Sequence, residues 1–215
     1  NDSDSEKLKL AYTHLISSLK ENQNYAPSYS LLGFIYKTCY NDNDRATKCF
    51  YKAFELDVNE IAAAKFLVED LTNNNEWEVA EILCNKIIKS ETARRTLLSK
   101  SYEDDDKSWP YRVLGSSCLN RQDDAAAVQW FQTALRMTSV NVECWLGLGE
   151  AYYNCGRLDA AAKVFRHILS LGEEAWLVIY MLGKVLCDMG EFEEGLSHLQ
   201  NSLQMQPQEE CILSA

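Results

Sequence analysis

The chain has 215 residues, 47% of them hydrophobic, and a formal net charge of −11 at pH 7. That apolar content excludes a disordered tail, and three prolines and nine glycines are few for a turn-rich all-β chain. The acidic balance argues against direct nucleic-acid binding, which relies on a basic excess to displace counterions from phosphate. It favours a protein partner with basic or mixed surface, and it also serves plain solubility.

The elements are expected in this order. Residues 1–25 hold one helix, marked by Ala11 and Leu15. Residues 26–60 carry Tyr29, Leu32, Gly33 and Tyr36 on one helical stripe and Ala46, Phe50 and Ala53 on a second, with the turn YNDND between them. Residues 61–92 repeat the pattern in worn form: Leu67 and Ala80 fit, Val68 replaces the glycine and Cys84 the aromatic. Residues 93–107 break the rhythm. ARRTLLSKSY extends the preceding helix and EDDDKS forms an exposed acidic loop, with Asp106 or Ser108 as the cap of a helix that starts at Trp109-Pro110. Three further units follow at 108–141, 142–175 and 176–209, and 210–215 is a tail. Within 142–175, Trp145, Leu148, Gly149 and Tyr152 form the first stripe, and Ala161, Phe165 and Ile168 the second. Gly156 suits the left-handed residue that ends the first helix, and Asp159 places negative charge at the start of the second.

The units share a period. The glycines of Leu114-Gly115, Leu148-Gly149 and Leu182-Gly183 are spaced 149 − 115 = 34 and 183 − 149 = 34. The columns Ala127, Ala161, Gly195 and Phe131, Phe165, Leu199 keep the same interval. A period of 34 residues with W-x2-L-G-x2-Y, then A-x3-F, then a proline (here Pro207) resembles the tetratricopeptide repeat (TPR). The resemblance implies an all-α fold, an α-solenoid of stacked helix-turn-helix repeats in a right-handed superhelix. The chain is expected to enter midway through a repeat and to form one continuous array. Gly at the eighth position and Ala at the twentieth allow the paired helices to approach closely, and the aromatic at the twenty-fourth fills the space between neighbours. No unit buries both its faces, so stability comes from stacking on the next.

Catalytic constellations are not found. Glu194 and His198 stand at i, i+4, one edge of a metal site, but such pairs are ordinary helix-surface neighbours. His14 and His167 also fall in second helices. Asp123-Asp124 and Glu193-Glu194 read as capping and dipole residues. GLGEAYYNCG has close glycines without a preceding strand, and no GxxxxGK[ST] loop occurs. No cofactor, metal or enzyme activity is expected. The eight cysteines form no CxxC pair and fall mostly in apolar-periodic segments, where a free Cys behaves as a small hydrophobe. This suggests a reducing compartment, cytoplasm or nucleus. No apolar run reaches the ~20 residues that span a bilayer, so no membrane partner is expected.

In TPR arrays the first helix of each repeat lines a concave groove. Removing the packing columns leaves Phe34, Lys37, Lys65, Glu69, Arg112, Ser116, Asn120, Glu150, Tyr153, Asn154, Tyr180, Lys184 and Asp188 as partner-binding candidates. Tyr153 and Tyr180 stand out because aromatics are enriched as interface anchors. Co-chaperone TPR domains grip a C-terminal carboxylate with a basic residue followed four positions on by Asn. Here Arg112 is followed by Ser116 and Lys65 by Glu69, so that clamp is not assembled and a chaperone adaptor is the alternative reading.

The wording between the columns is more specific. RATKCFYKAFELD, SWPYRVLG, AVQWFQTALR and VECWLGLGEAYYNCGRLDAAAKVF resemble the large TPR scaffold subunits of superkiller (Ski) complexes, most strongly over 26–59 and 108–171. The resemblance implies a cytoplasmic scaffold that binds an RNA helicase and WD-repeat propeller subunits and acts, through the exosome, in 3′-to-5′ mRNA decay. It implies no catalysis by the scaffold itself.

Overall fold

A computed structural model describes residues 2–97, 106–172 and 175–205, and the regular structure among them is entirely helical. The helices are α1 (Asp2–Glu21), α2 (Ala26–Thr38), α3 (Asn43–Leu56), α4 (Ile61–Asn73), α5 (Trp77–Leu97), α6 (Trp109–Asn120), α7 (Asp124–Met137), α8 (Val142–Asn154), α9 (Leu158–Ser170), α10 (Trp176–Asp188) and α11 (Phe192–Met205). The chain divides into two compact units, 1–101 and 102–215. In the first, α1 packs on α2, α2 on α3, α3 on α4 and α4 on α5. In the second, consecutive helices from α6 to α11 pack in the same way, and α6 also touches α8. The expected helical extension after residue 92 is present as far as Leu97. Residues 98–105, which hold half of the acidic loop, and residues 206–215, with Pro207 and Cys211, lie outside the described residues.

Local chemistry sets the helix starts. Proline occupies the first turn of α2 and α6, where its missing N–H has no intrahelical partner to lose. Asp42 accepts from the Arg45 amide (3.0 Å), Asp123 from the Ala126 amide (3.2 Å) and Asn141 from the Cys144 amide (2.9 Å), each satisfying an orphan N–H. Ser108 occupies the N-cap position of α6 but caps no amide. Its hydroxyl and its N–H instead both donate to the Asp106 carboxylate, which also accepts from Thr138 (3.4 Å). Asp106 thereby ties the entry of α6 to the turn after α7. Burial alone would raise the Asp106 carboxyl, but the Ser108 hydrogen bonds and the nearby Arg112 hold it below the usual carboxylate range.

The turn within each helix pair uses one left-handed residue. Asn41 (φ 50°), Asn75 (60°), Gln122 (62°), Gly156 (70°) and Gly190 (87°) all adopt it. This conformation costs an ordinary L residue about 1–2 kcal/mol. Asn and Gly meet that demand cheaply; Gln122 does not. Gln122→Gly is therefore expected to stabilise the chain by about 0.5–1 kcal/mol, seen as a higher urea midpoint with unchanged slope.

The periodic columns meet in space. A Cβ added at Gly33, Gly115 or Gly149 would come within 2.8, 2.9 or 2.7 Å of the ring of Phe50, Phe131 or Phe165 respectively. The missing side chain is what lets each ring lie flat against the first helix of its own repeat. Phe131 is held from both sides, because a Cβ on Gly147 of the next first helix would approach its Cζ to 2.3 Å. In the first unit, Phe66 takes the place of that second glycine and stacks on Phe50 with centroids 4.3 Å apart. Phe50, Phe131 and Phe165 are all fully buried. At the twentieth position of the last repeat, Gly195 replaces Ala and brings α11 close enough to α10 that a Cβ would lie 2.6 Å from Cys187 Sγ. Gly147→Ala should force the Phe131 ring out of place and lower stability by about 1–3 kcal/mol, measured by chemical denaturation.

Candidate protein-binding surface

The second unit assembles a continuous polar surface from its first helices, α6, α8 and α10. Arg112 Nη1 on α6 pairs with Glu143 Oε2 on α8 at 3.0 Å. The Tyr153 hydroxyl on α8 donates to Asp188 Oδ2 on α10 at 2.7 Å, and Lys184 Nζ lies 5.0 Å from the Tyr153 ring centroid. Burial first, and then the bond to Asp188, push the Tyr153 phenol up to about 12. At the edge of this face the Asn154 amide donates to Asp124 Oδ1 on α7 at 2.9 Å. Glu150 is also on α8. Its side chain is exposed, yet crowding by protein atoms removes water from the carboxyl, and Asp124 repels its charge; both effects raise its pKa.

The remaining candidates are placed as follows. Ser116 is half-buried and Asn120 exposed on α6. Tyr180 is 9% exposed, because its ring joins Leu199, Trp176 and Leu203 in the packing of α10 and α11. In the first unit, Phe34 is 38% exposed and meets Phe50 edge-on at 5.1 Å. Lys37 Nζ stands 4.0 Å over the Phe66 ring. Lys65 is half-buried on α4, and Glu69, one turn on, is exposed. The structure thus joins Arg112, Tyr153, Lys184 and Asp188 into cross-helix contacts within the second unit, and Phe34 and Lys37 into aromatic contacts within the first.

Subtraction of packing columns missed Glu143 and Asp124. Glu143 is recognisable once Arg112 is known as its partner: it lies 31 residues on, one repeat forward and one helical turn back, and carries the opposite charge. The Glu194–His198 pair (3.8 Å) is part of an ion-pair set in which Arg166 on α9 reaches Glu194 at 3.2 Å and Glu191 at 3.8 Å. Among the described residues, no three His, Cys, Asp or Glu side chains gather as metal ligands, and no helix is long and apolar enough to cross a membrane. Seven cysteines are described, and none of these is in a disulfide. Cys84, Cys118 and Cys144 are buried, Cys49 and Cys187 half-buried, and Cys39 and Cys155 exposed at helix ends. Burial raises the Cys84 thiol to about 12 and the Cys144 thiol to about 11, which disfavours the thiolate at both.

The all-helical pairs, the period and the glycine–aromatic columns make up a tetratricopeptide-repeat fold, and the family profile for that repeat matches residues 142–172. It is similar to Superkiller protein 3 of Saccharomyces cerevisiae, with 38% identity over 99% of this chain and 14% of that protein. Superkiller protein 3 of Schizosaccharomyces pombe is 36% identical over 95% of this chain and 14% of that protein. The chain therefore spans about one seventh of the length of these relatives. Among solved structures it is similar to YrrB, described as a TPR protein with an unusual peptide-binding site, with a TM-score of 0.72, 18% identity, and coverage of 93% of this chain and 96% of that one. That likeness shows the fold.

The Tyr153–Asp188 bond gives a direct test of the surface. Because its pKa is raised, the phenol contributes stability that is complete below about pH 10 and lost as pH rises through about 12. Asp188→Ala should lower the Tyr153 midpoint, read as the tyrosinate absorbance difference between otherwise identical chains with and without Tyr153→Phe.

Proposed function

We propose that this chain acts as part of a protein-binding scaffold of a superkiller-type complex. It holds an RNA helicase and WD-repeat subunits so that RNA passes to the exosome for 3′-to-5′ decay. The observation that carries this reading is the 38% identity to Superkiller protein 3 across nearly the whole chain, well beyond the few columns that any TPR shares. The chemistry agrees. The first-helix surface offers paired charges, amides and an aromatic ring, suited to holding a protein, and the chain's acidity disfavours phosphate backbones. Catalysis and RNA handling belong to the partners, and the assembly works in the cytoplasm. A chaperone-tail adaptor gains no support here, because Arg112 is engaged by Glu143 and Asn154 by Asp124.

Affinity purification of the parent protein from its own cells tests this. Helicase and propeller subunits should co-purify with the intact protein. Their consistent absence, with the protein itself recovered and folded, overturns the reading.

A further inference from the structure

Two joints link the three repeats of the second unit, and they are built differently. At the first, between α7 and α8, the Phe131 ring is trapped between Gly115 and Gly147. The start of α8 is tied down as well: the Trp145 indole N–H donates to the Ser139 carbonyl at 2.8 Å, and Asn141 caps the Cys144 amide. At the second joint, between α9 and α10, the residue 34 positions after Gly147 is Met181. Met181 is half-buried and packs against both the α6–α10 core and the Tyr180–Leu199 cluster. Its unbranched thioether side chain repacks readily, which a ring wedged between two glycines cannot do. Ala175 at the N-cap of α10 offers no side-chain bond, and the chain leaves α9 through Gly172 at φ 86°. An open cleft of about 560 Å³, lined by residues 156–160 of one repeat and Met189 of the next, lies beside this joint.

Two polar clasps cross the second joint. On the first-helix side Tyr153 holds Asp188 at 2.7 Å, with Lys184 against its ring. On the second-helix side Arg166 of α9 reaches Glu194 at 3.2 Å and Glu191 at 3.8 Å. Exposed contacts of this kind are weak, and the ionic ones are screened by salt, so they bias a position without locking it. The first joint has polar ties too, Arg112–Glu143 and Asn154–Asp124, but there a rigid ring stands behind them. We propose that the α9–α10 joint is a hinge whose resting position is set by the two clasps, and that α10 and α11 swing on the stiffer α6–α9 block. These two helices move as one body, because Gly183 and Gly195 let their backbones pack directly together. The movement is a slide of α10 over α9 with no gap opened, since Val178, Leu182, Val185 and Leu186 stay at most 1% exposed. The hinge belongs to the chain alone and holds whether or not the scaffold reading does.

Gln129, Lys163 and Ser197 are exposed and recur at one repeat position, 34 residues apart, on α7, α9 and α11. Spin labels carried there on a ketone-bearing amino acid, with every cysteine left in place, read the two joints of the full chain by electron paramagnetic resonance. The Lys163–Ser197 distance distribution should be wider than the Gln129–Lys163 one. Combining Tyr153→Phe with Arg166→Gln should widen the former roughly 1.5-fold or more and leave the latter unchanged. Salt at roughly 1 M, where the Debye length falls to about 3 Å, should widen the Lys163–Ser197 distribution of the natural chain but not that of Arg166→Gln. The hinge is overturned if the two pairs are equally wide in the natural chain, or if the double variant changes neither distribution. It is overturned also if the double variant widens both alike, which marks general loosening, or if salt acts equally with and without Arg166.

Discussion

The contact between a bare first-helix backbone and an aromatic ring from the second helix governs this architecture. Where Gly33, Gly115 and Gly149 leave out a side chain, Phe50, Phe131 and Phe165 fill the space. That one exchange fixes how closely two helices approach, and so which residues of each first helix are turned outward. Everything on the candidate surface follows from that geometry. Arg112 reaches Glu143, and Tyr153 reaches Asp188, because the first helices are set at a constant interval by rings behind them. A large residue at Gly115 or Gly149 would displace its helix and disturb those pairs.

Much of this was legible in the sequence, for a local reason. The glycine, the small residue and the aromatic recur at fixed positions because each makes the same contact in each repeat, so contact becomes periodicity. The left-handed turn was readable at Gly156 for the same reason, whereas Gln122 holds that conformation without the residue type that advertises it. The outward face was less legible. Its residues are not constrained by repetition, so Tyr180 looked like an anchor although its ring folds into the packing of α10 and α11. Glu143 and Asp124 became visible only through their partners on other helices. Ser108 illustrates a different limit: a serine before a helix suggests a cap, yet a nearby acid, Asp106, captured its hydroxyl.

The surface also differs from a peptide clamp built on bare cations. Its basic groups already have company, Arg112 with an acid and Lys184 with a ring. A negatively charged tail would have to displace those neighbours.

Phe131 has a mechanical consequence. Its ring is gripped by Gly115 on one side and Gly147 on the other, so two successive repeats share a single incompressible spacer. Bending at that joint must either tilt the ring or open a gap beside it, and both are steeply resisted in a close-packed interior. The joint is therefore stiff, and elastic give in this part of the molecule is directed to places where no such spacer sits between repeats.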